Sequence, residues 1–273
     1  MIKSCATIAL VPEITSGPWI YWDDPDISIP KAAKLGFDAV ELFTASADAV
    51  DPEQLEQLCE ANKIEIAAVG TGAGKVLHGL TLTSPDENVR QKAIAFISDM
   101  IAFGARFGAP AIIGSMQGNV EPGTERPQAL AWLAEELNKL GNFALEQEVN
   151  LIYEPLNRYE TNMFNHLSSA AELLGALDAE NVVLLADLFH MNIEEQSIAG
   201  AIRRNAKHIG HVHFADSNRA PVGMGHTDMT DIARALMEIG YDGYASAEAL
   251  PWPDPDTAAE QTMRAFKECF SQT

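Results

Sequence analysis

Eight short apolar runs, separated by segments with helical spacing, constrain the fold of this chain more than any other feature. The runs are Cys5–Leu10, Ala39–Leu42, Ile64–Val69, Ala111–Gly114, Leu151–Glu154, Val182–Asp187, His211–Ala215 and Tyr244–Ala249. They lack the polar alternation of a half-exposed sheet, so they predict parallel strands covered on both faces. Between them, Val89, Ala93, Phe96, Ile97, Met100, Ile101 and Phe107 follow the three-four spacing of one apolar helix face, as do Leu130, Leu133, Leu137, Leu140 and Ala144. Asp51-Pro52-Glu53 and Ser84-Pro85-Asp86-Glu87 each offer a capping residue before a proline at the first helical position. Gly36 and Gly240 stand where a helix should stop and a strand begin.

Eight strand–helix units in 273 residues is the (β/α)8 barrel pattern, at about 34 residues per unit. No Gly/Ser-rich linker or low-complexity tract divides the units, so residues 1–273 are expected to form one α/β TIM barrel domain. An open doubly wound sheet would carry a glycine-rich phosphate turn after its first strand. Here VPEITSGPW follows that strand and lacks the turn. GTGAG at 70–74 has the wrong glycine spacing for a dinucleotide fingerprint and is expected to be a flexible loop after strand three.

Composition narrows the partners. With 18 Lys and Arg against 39 Asp and Glu, the formal charge is −21, which disfavours nucleic acid and anionic membrane surfaces. Cys5, Cys59 and Cys269 are odd in number and widely spaced, fitting neither a disulfide framework nor a CxxC metal site. A reducing cytoplasm follows as the expectation, because the N-terminal apolar run is too short for a signal-peptide core and no stretch is long enough to span a bilayer. A homo-oligomer is compatible with this composition.

In a barrel, chemistry sits at the C-terminal ends of the strands. Strands five to eight end in Glu154, Asp187, His213 and Glu248, which are 33, 26 and 35 residues apart, each about one repeat. A single strand-end carboxylate is readily explained as a helix cap or an ion pair. Four successive strands with a ligand type at the same position instead predict a ring of side chains at the barrel mouth. Three carboxylates and one imidazole suit one divalent metal ion that prefers oxygen, with Mn²⁺ first and Mg²⁺ or Co²⁺ as alternatives. Zinc would draw more His or Cys. His211 shares a strand face with His213 and is assigned a structural role, while His78, His166, His208 and His226 are expected on the surface or in loops. Trp19, Trp22 and Trp252 fall in strand-end loops and are candidates to wall a ligand.

The motifs EPLNRYET, ADLFHMNIEE, HVHFADSNR and SAEALP, in that order, resemble the xylose isomerase-like barrel superfamily. They are most similar to its ketose 3-epimerase branch, with D-tagatose 3-epimerase-like enzymes and 5-keto-L-gluconate epimerase. AAVGTGAGKVLHGLTLTSPDENVRQKAI and AIIGSMQG extend the resemblance over nearly the whole chain. It implies one metal held by Glu154, Asp187, His213 and Glu248, with Glu154 and Glu248 doubling as the acid/base pair. It also implies that His190, Glu160 and Arg219 contact substrate oxygens.

The implied reaction is an epimerisation or isomerisation of a ketose or keto-sugar acid, through proton abstraction and a metal-stabilised enediolate. Hydroxypyruvate isomerase or another aldose–ketose isomerase is the alternative, and a sugar-binding barrel without catalysis is the non-enzyme reading. An apurinic endonuclease would need more His ligands and a basic surface. The chain departs from the family pattern at Pro221-Val222-Gly223-Met224-Gly225-His226, a loop expected near the site.

Overall fold

The computed structural model describes residues 1–270. Eight parallel strands, β1 (Lys3–Leu10), β2 (Ala39–Thr44), β3 (Glu65–Gly70), β4 (Ala111–Ile113), β5 (Leu151–Tyr153), β6 (Val182–Asp187), β7 (Ile209–His213) and β8 (Tyr244–Ala247), close into a barrel in chain order. Closure is the pairing of β1 with both β2 and β8, with Cys5 opposite Ala39 on one side and Ser246 on the other. All eight expected strands are present. β7 begins two residues early, at Ile209, and β8 stops at Ala247, so Glu248 lies just past the strand rather than within it.

Among the described residues ten α-helices surround the barrel: α1 (Pro25–Leu35), α2 (Pro52–Asn62), α3 (Ala73–His78), α4 (Glu87–Ala105), α5 (Arg126–Glu146), α6 (Leu167–Leu174), α7 (Leu188–Glu194), α8 (Ile198–Arg204), α9 (Met229–Glu238) and α10 (Pro255–Phe270). Eight of them are the expected crossovers. α3 and α7 are additional short helices at the C-terminal ends of β3 and β6. The GTGAG segment is therefore not a flexible loop: Gly70 ends β3, Gly72 caps α3, and Ala73 and Gly74 are buried.

The predicted apolar faces are the buried ones. Ala93, Ile97, Met100 and Ile101 of α4 and Leu133, Leu137, Leu140 and Ala144 of α5 are all within 1 % of full burial. Gly36 and Gly240 end their helices at φ of 93° and 70°, where a Cβ would be strained. Asp51 caps α2 by accepting from the Glu53 amide at 2.9 Å. At α4 the cap lies later than the sequence pattern suggests. Asp86 accepts from the Asn88 amide at 2.8 Å and the helix starts at Glu87, leaving Pro85 outside it.

Ala68, Ile112, Ile152 and Leu185, from four consecutive strands, pack on one another as a cluster separate from the main strand–helix core. Among the described residues no helix is long and apolar enough to cross a membrane. The three cysteines are unpaired.

Candidate active site

A cavity of about 300 Å³ opens at the C-terminal ends of the strands, at the small end of the usual size range of ligand pockets. Glu154, His213 and Glu248 line it, and Asp187 lies beside them, hydrogen bonded to His213. One ligand atom from each of the four lies within 4.8 Å of the others, so the structure brings together the four side chains that the strand ends point to. His213 Nδ1 is the hub, at 3.2 Å from Asp187 Oδ2, 3.5 Å from Glu154 Oε1 and 3.4 Å from Glu248 Oε2.

Local structure explains the placement of each group. Asp187 ends β6 and also caps α7: its Oδ1 accepts from the Phe189 and His190 amides at 2.8 and 3.0 Å, which leaves Oδ2 to face His213. Glu154 follows β5 directly and packs against Gly114 at the end of β4. A Cβ on Gly114 would come within 2.3 Å of Glu154 Oε2, so only glycine lets this carboxylate lie where it does. Gly114→Ala is expected to leave the barrel folded but to lower kcat/KM about 100-fold, the scale of an ångström's misplacement of a reacting group. A variant with unchanged kinetics would show that the position of Glu154 is unimportant.

The donor set fits a cation. Glu154 Oε1 is buried and has no hydrogen-bond partner, a costly state for a carboxylate oxygen unless a cation faces it. Burial raises the Glu154 carboxyl above its ordinary value, an effect that His213 opposes and Glu248 reinforces. Burial would also raise Asp187, but the charges of His190 and Arg219 outweigh it and hold this carboxyl below the usual carboxylate range. Burial pushes His213 down, and the negative charges of Glu41 and Glu248 more than reverse that. The site holds an excess of negative charge at close range.

The three expected substrate contacts are also at the cavity. His190 is the third residue of α7 and is buried, with Nε2 3.8 Å from both Glu154 and Asp187. Glu160 stands at the more exposed rim and accepts from Asn157 Nδ2 at 2.8 Å. Arg219 reaches in from a loop residue with φ of 59°. Its Nη2 pairs with Glu248 and lies 3.5 Å from Asp187, while its guanidinium stacks 4.8 Å from the Phe189 ring.

Some expectations do not survive. Of the three tryptophans only Trp19 lines the cavity, stacked on Phe43 at 4.2 Å. Trp22 packs edge-on behind Trp19, and Trp252 is half exposed, away from the cavity. Residues 221–226 are not part of the cavity wall. Asp216 ties that loop down instead, accepting from the amides of Ser217, Gly223 and Thr227 at 2.7, 2.8 and 3.0 Å. His78, His166 and His226 are exposed and His208 is half-buried, as expected.

Sequence reading missed Glu41, a buried carboxylate on β2 that accepts from His211 Nε2 at 2.7 Å and His213 Nε2 at 3.1 Å. It sits inside the apolar run AVELF, and that interruption was the available signal. Asn157 was also missed. It holds Glu160 and lies 2.7 Å from His190 Nδ1.

Residues 29–269 match the xylose isomerase-like TIM barrel family. The chain belongs to this family. It is 30% identical over 249 residues to a D-psicose 3-epimerase of Ruminiclostridium cellulolyticum, covering 82% of this chain and 80% of that protein. It is 29% identical over 234 residues to a probable ketose 3-epimerase of Synechocystis, covering 83% and 79%. A solved structure of an L-ribulose 3-epimerase superposes with a TM-score of 0.83 over 99% of this chain and 95% of that one. At 22% identity that similarity speaks for the fold alone. These relatives are named as epimerases, enzymes of the isomerase class.

Proposed function

We propose that this family member is a sugar epimerase acting on a ketose or keto-sugar acid, with one divalent cation held by Glu154, Asp187, His213 and Glu248. The observation that carries the reading is the convergence of these four side chains in a cavity, with a buried, unpartnered Glu154 oxygen among them. The named epimerases that share about 30% of its residues over four-fifths of the chain support the reaction class. Mn²⁺ suits the three-oxygen, one-nitrogen donor set best, with Mg²⁺ and Co²⁺ as alternatives. When bound, such an ion supplies electrophilic stabilisation for negative charge that develops on a carbonyl oxygen.

The side chains of the chain do the rest. Glu154 and Glu248 stand three strands apart on the rim, and a sugar carbon between them would meet a carboxylate on each face. One carboxylate removes the proton next to the ketone, leaving the electron pair delocalised onto the carbonyl oxygen. The other returns a proton to the same carbon from the opposite face, and the centre is inverted. The raised affinity of buried Glu154 for a proton suits a group that must hold one and give it back. His190, Glu160 and Arg219 fix the sugar's oxygens, and the Trp19–Phe43 pair offers an apolar wall against which a ring or chain can lie.

Incubation with a panel of ketoses and keto-sugar acids in deuterated water tests this. The expected result is one deuterium at one carbon, with inversion there. Deuterium at C2 of an aldose product would assign an aldose–ketose isomerase instead. No exchange into any sugar by the metal-loaded protein would leave the sugar-binding reading.

A further inference from the structure

Glu41 is a carboxylate in the middle of a strand, almost fully buried, in a chain whose surface already holds an excess of acids. Such a group costs several kcal/mol to desolvate unless its charge is used. It lies on β2, yet both its partners lie on β7, on the far side of β1 and β8. The strands between make the crossing possible. In the register of the sheet, Ser246 of β8 stands beside His213, and Cys5 of β1 stands beside Ser246. Both are small and fully buried, with Cys5 Sγ and Ser246 Oγ 3.4 Å apart, so the Glu41 side chain has room to pass over them.

An ionised carboxylate only accepts hydrogen bonds, so the ring nitrogens that face it carry the protons. His211 Nε2 then donates to Glu41 Oε2 at 2.7 Å, and His213 Nε2 donates to Glu41 Oε1 at 3.1 Å. Nδ1 faces the carboxylates of Glu154, Asp187 and Glu248 and would give up its proton to a bound cation; with the other proton kept on Nε2 by Glu41, the ring then offers its lone pair at Nδ1. We propose that Glu41, steadied by His211, is the positioning residue that sets the tautomer and ring orientation of His213 as a metal ligand. The inference rests on the metal site proposed above and extends it by two residues. Carboxylates that orient ligand histidines in this way commonly contribute 10–100-fold to metal affinity. The same three side chains are close enough to hold a second ion themselves. Their short mutual hydrogen bonds favour the orienting role.

The test measures the dissociation constant for Mn²⁺ and Co²⁺ by chelator competition on metal-stripped wild type, Glu41→Gln and His211→Gln. Circular dichroism and gel filtration report folding, and the visible spectrum of bound Co²⁺ reports ligand geometry. One ion per wild-type chain is expected. Binding about 10–100-fold weaker is expected in Glu41→Gln, with an altered Co²⁺ spectrum, because an amide cannot accept from both rings. His211→Gln is expected to show a smaller loss in the same direction. Wild-type affinity and spectrum in a folded Glu41→Gln protein would overturn the proposal. If Glu41→Gln does not fold, His211→Gln decides, and unchanged affinity there overturns it. Two ions per wild-type chain, the second lost in both variants, would make the trio a metal site in its own right and also overturn it. A wild type that binds no ion would instead defeat the metal reading of the four strand-end residues.

Discussion

Replacing Glu248 by glutamine is expected to reduce turnover by about 10²–10⁴-fold while leaving a folded barrel, the range set by losing a general acid or base. The amide keeps the shape of the side chain but neither takes nor returns a proton. Glu248 is the more accessible of the proposed pair, the partner of Arg219 and a proposed metal ligand, so with metal held at saturation the substitution has two remaining consequences that kinetics separate. Loss of the proton-transfer group lowers kcat and abolishes deuterium exchange into the sugar. Loss of the arginine's partner changes only how the substrate is held, and appears in KM. Steady-state kinetics together with solvent exchange distinguish the two. A variant with kcat within tenfold of wild type would remove Glu248 from proton transfer and leave it as a partner of Arg219 and of the cation.

Removal of divalent metal is expected to silence the enzyme, and addition of Mn²⁺ or Co²⁺ to restore it. The stability of the protein should follow the same course. Glu154, Asp187 and Glu248 crowd around one histidine, and a bound cation relieves their mutual repulsion. Binding to the folded state alone adds about 2.7 kcal/mol at a hundredfold excess over the dissociation constant. Thermal melting with and without chelator, beside an activity assay, checks both effects. Full activity in protein shown by elemental analysis to be metal-free would contradict the proposed mechanism.

The barrel was legible in the sequence because burial on both faces leaves parallel strands nearly uniformly apolar, and eight such runs at a steady spacing admit few architectures. The cluster of proposed ligands was legible for the same reason, since a carboxylate or histidine that ends an apolar run stands out. Glu41 was not, because it lies inside its run, and its partners come from a strand distant in sequence. Gly114 was hidden too. Its importance is the absence of a side chain beside Glu154, and only coordinates reveal that clearance. α3 and α7 escaped because six or seven residues are too few for a helical period to declare itself. The tryptophans show the limit of reasoning from loop position. Three occupy comparable segments, yet one faces the cavity, because aromatic packing decided which ring turned inward.

The cavity is built unequally from the two halves of the chain. All four strand-end ligands come from β5 to β8, whereas Trp19, Phe43, Gly72 and Val76, which shape the opposite wall, belong to segments that follow β1 to β3 or end β2. The apolar wall and the four proposed ligands thus come from separate stretches of sequence, with Glu41 of β2 a link between them. A lineage can remodel the first stretch to accept a differently shaped sugar without disturbing the second. A barrel of this kind can diversify its diet while inheriting its chemistry intact.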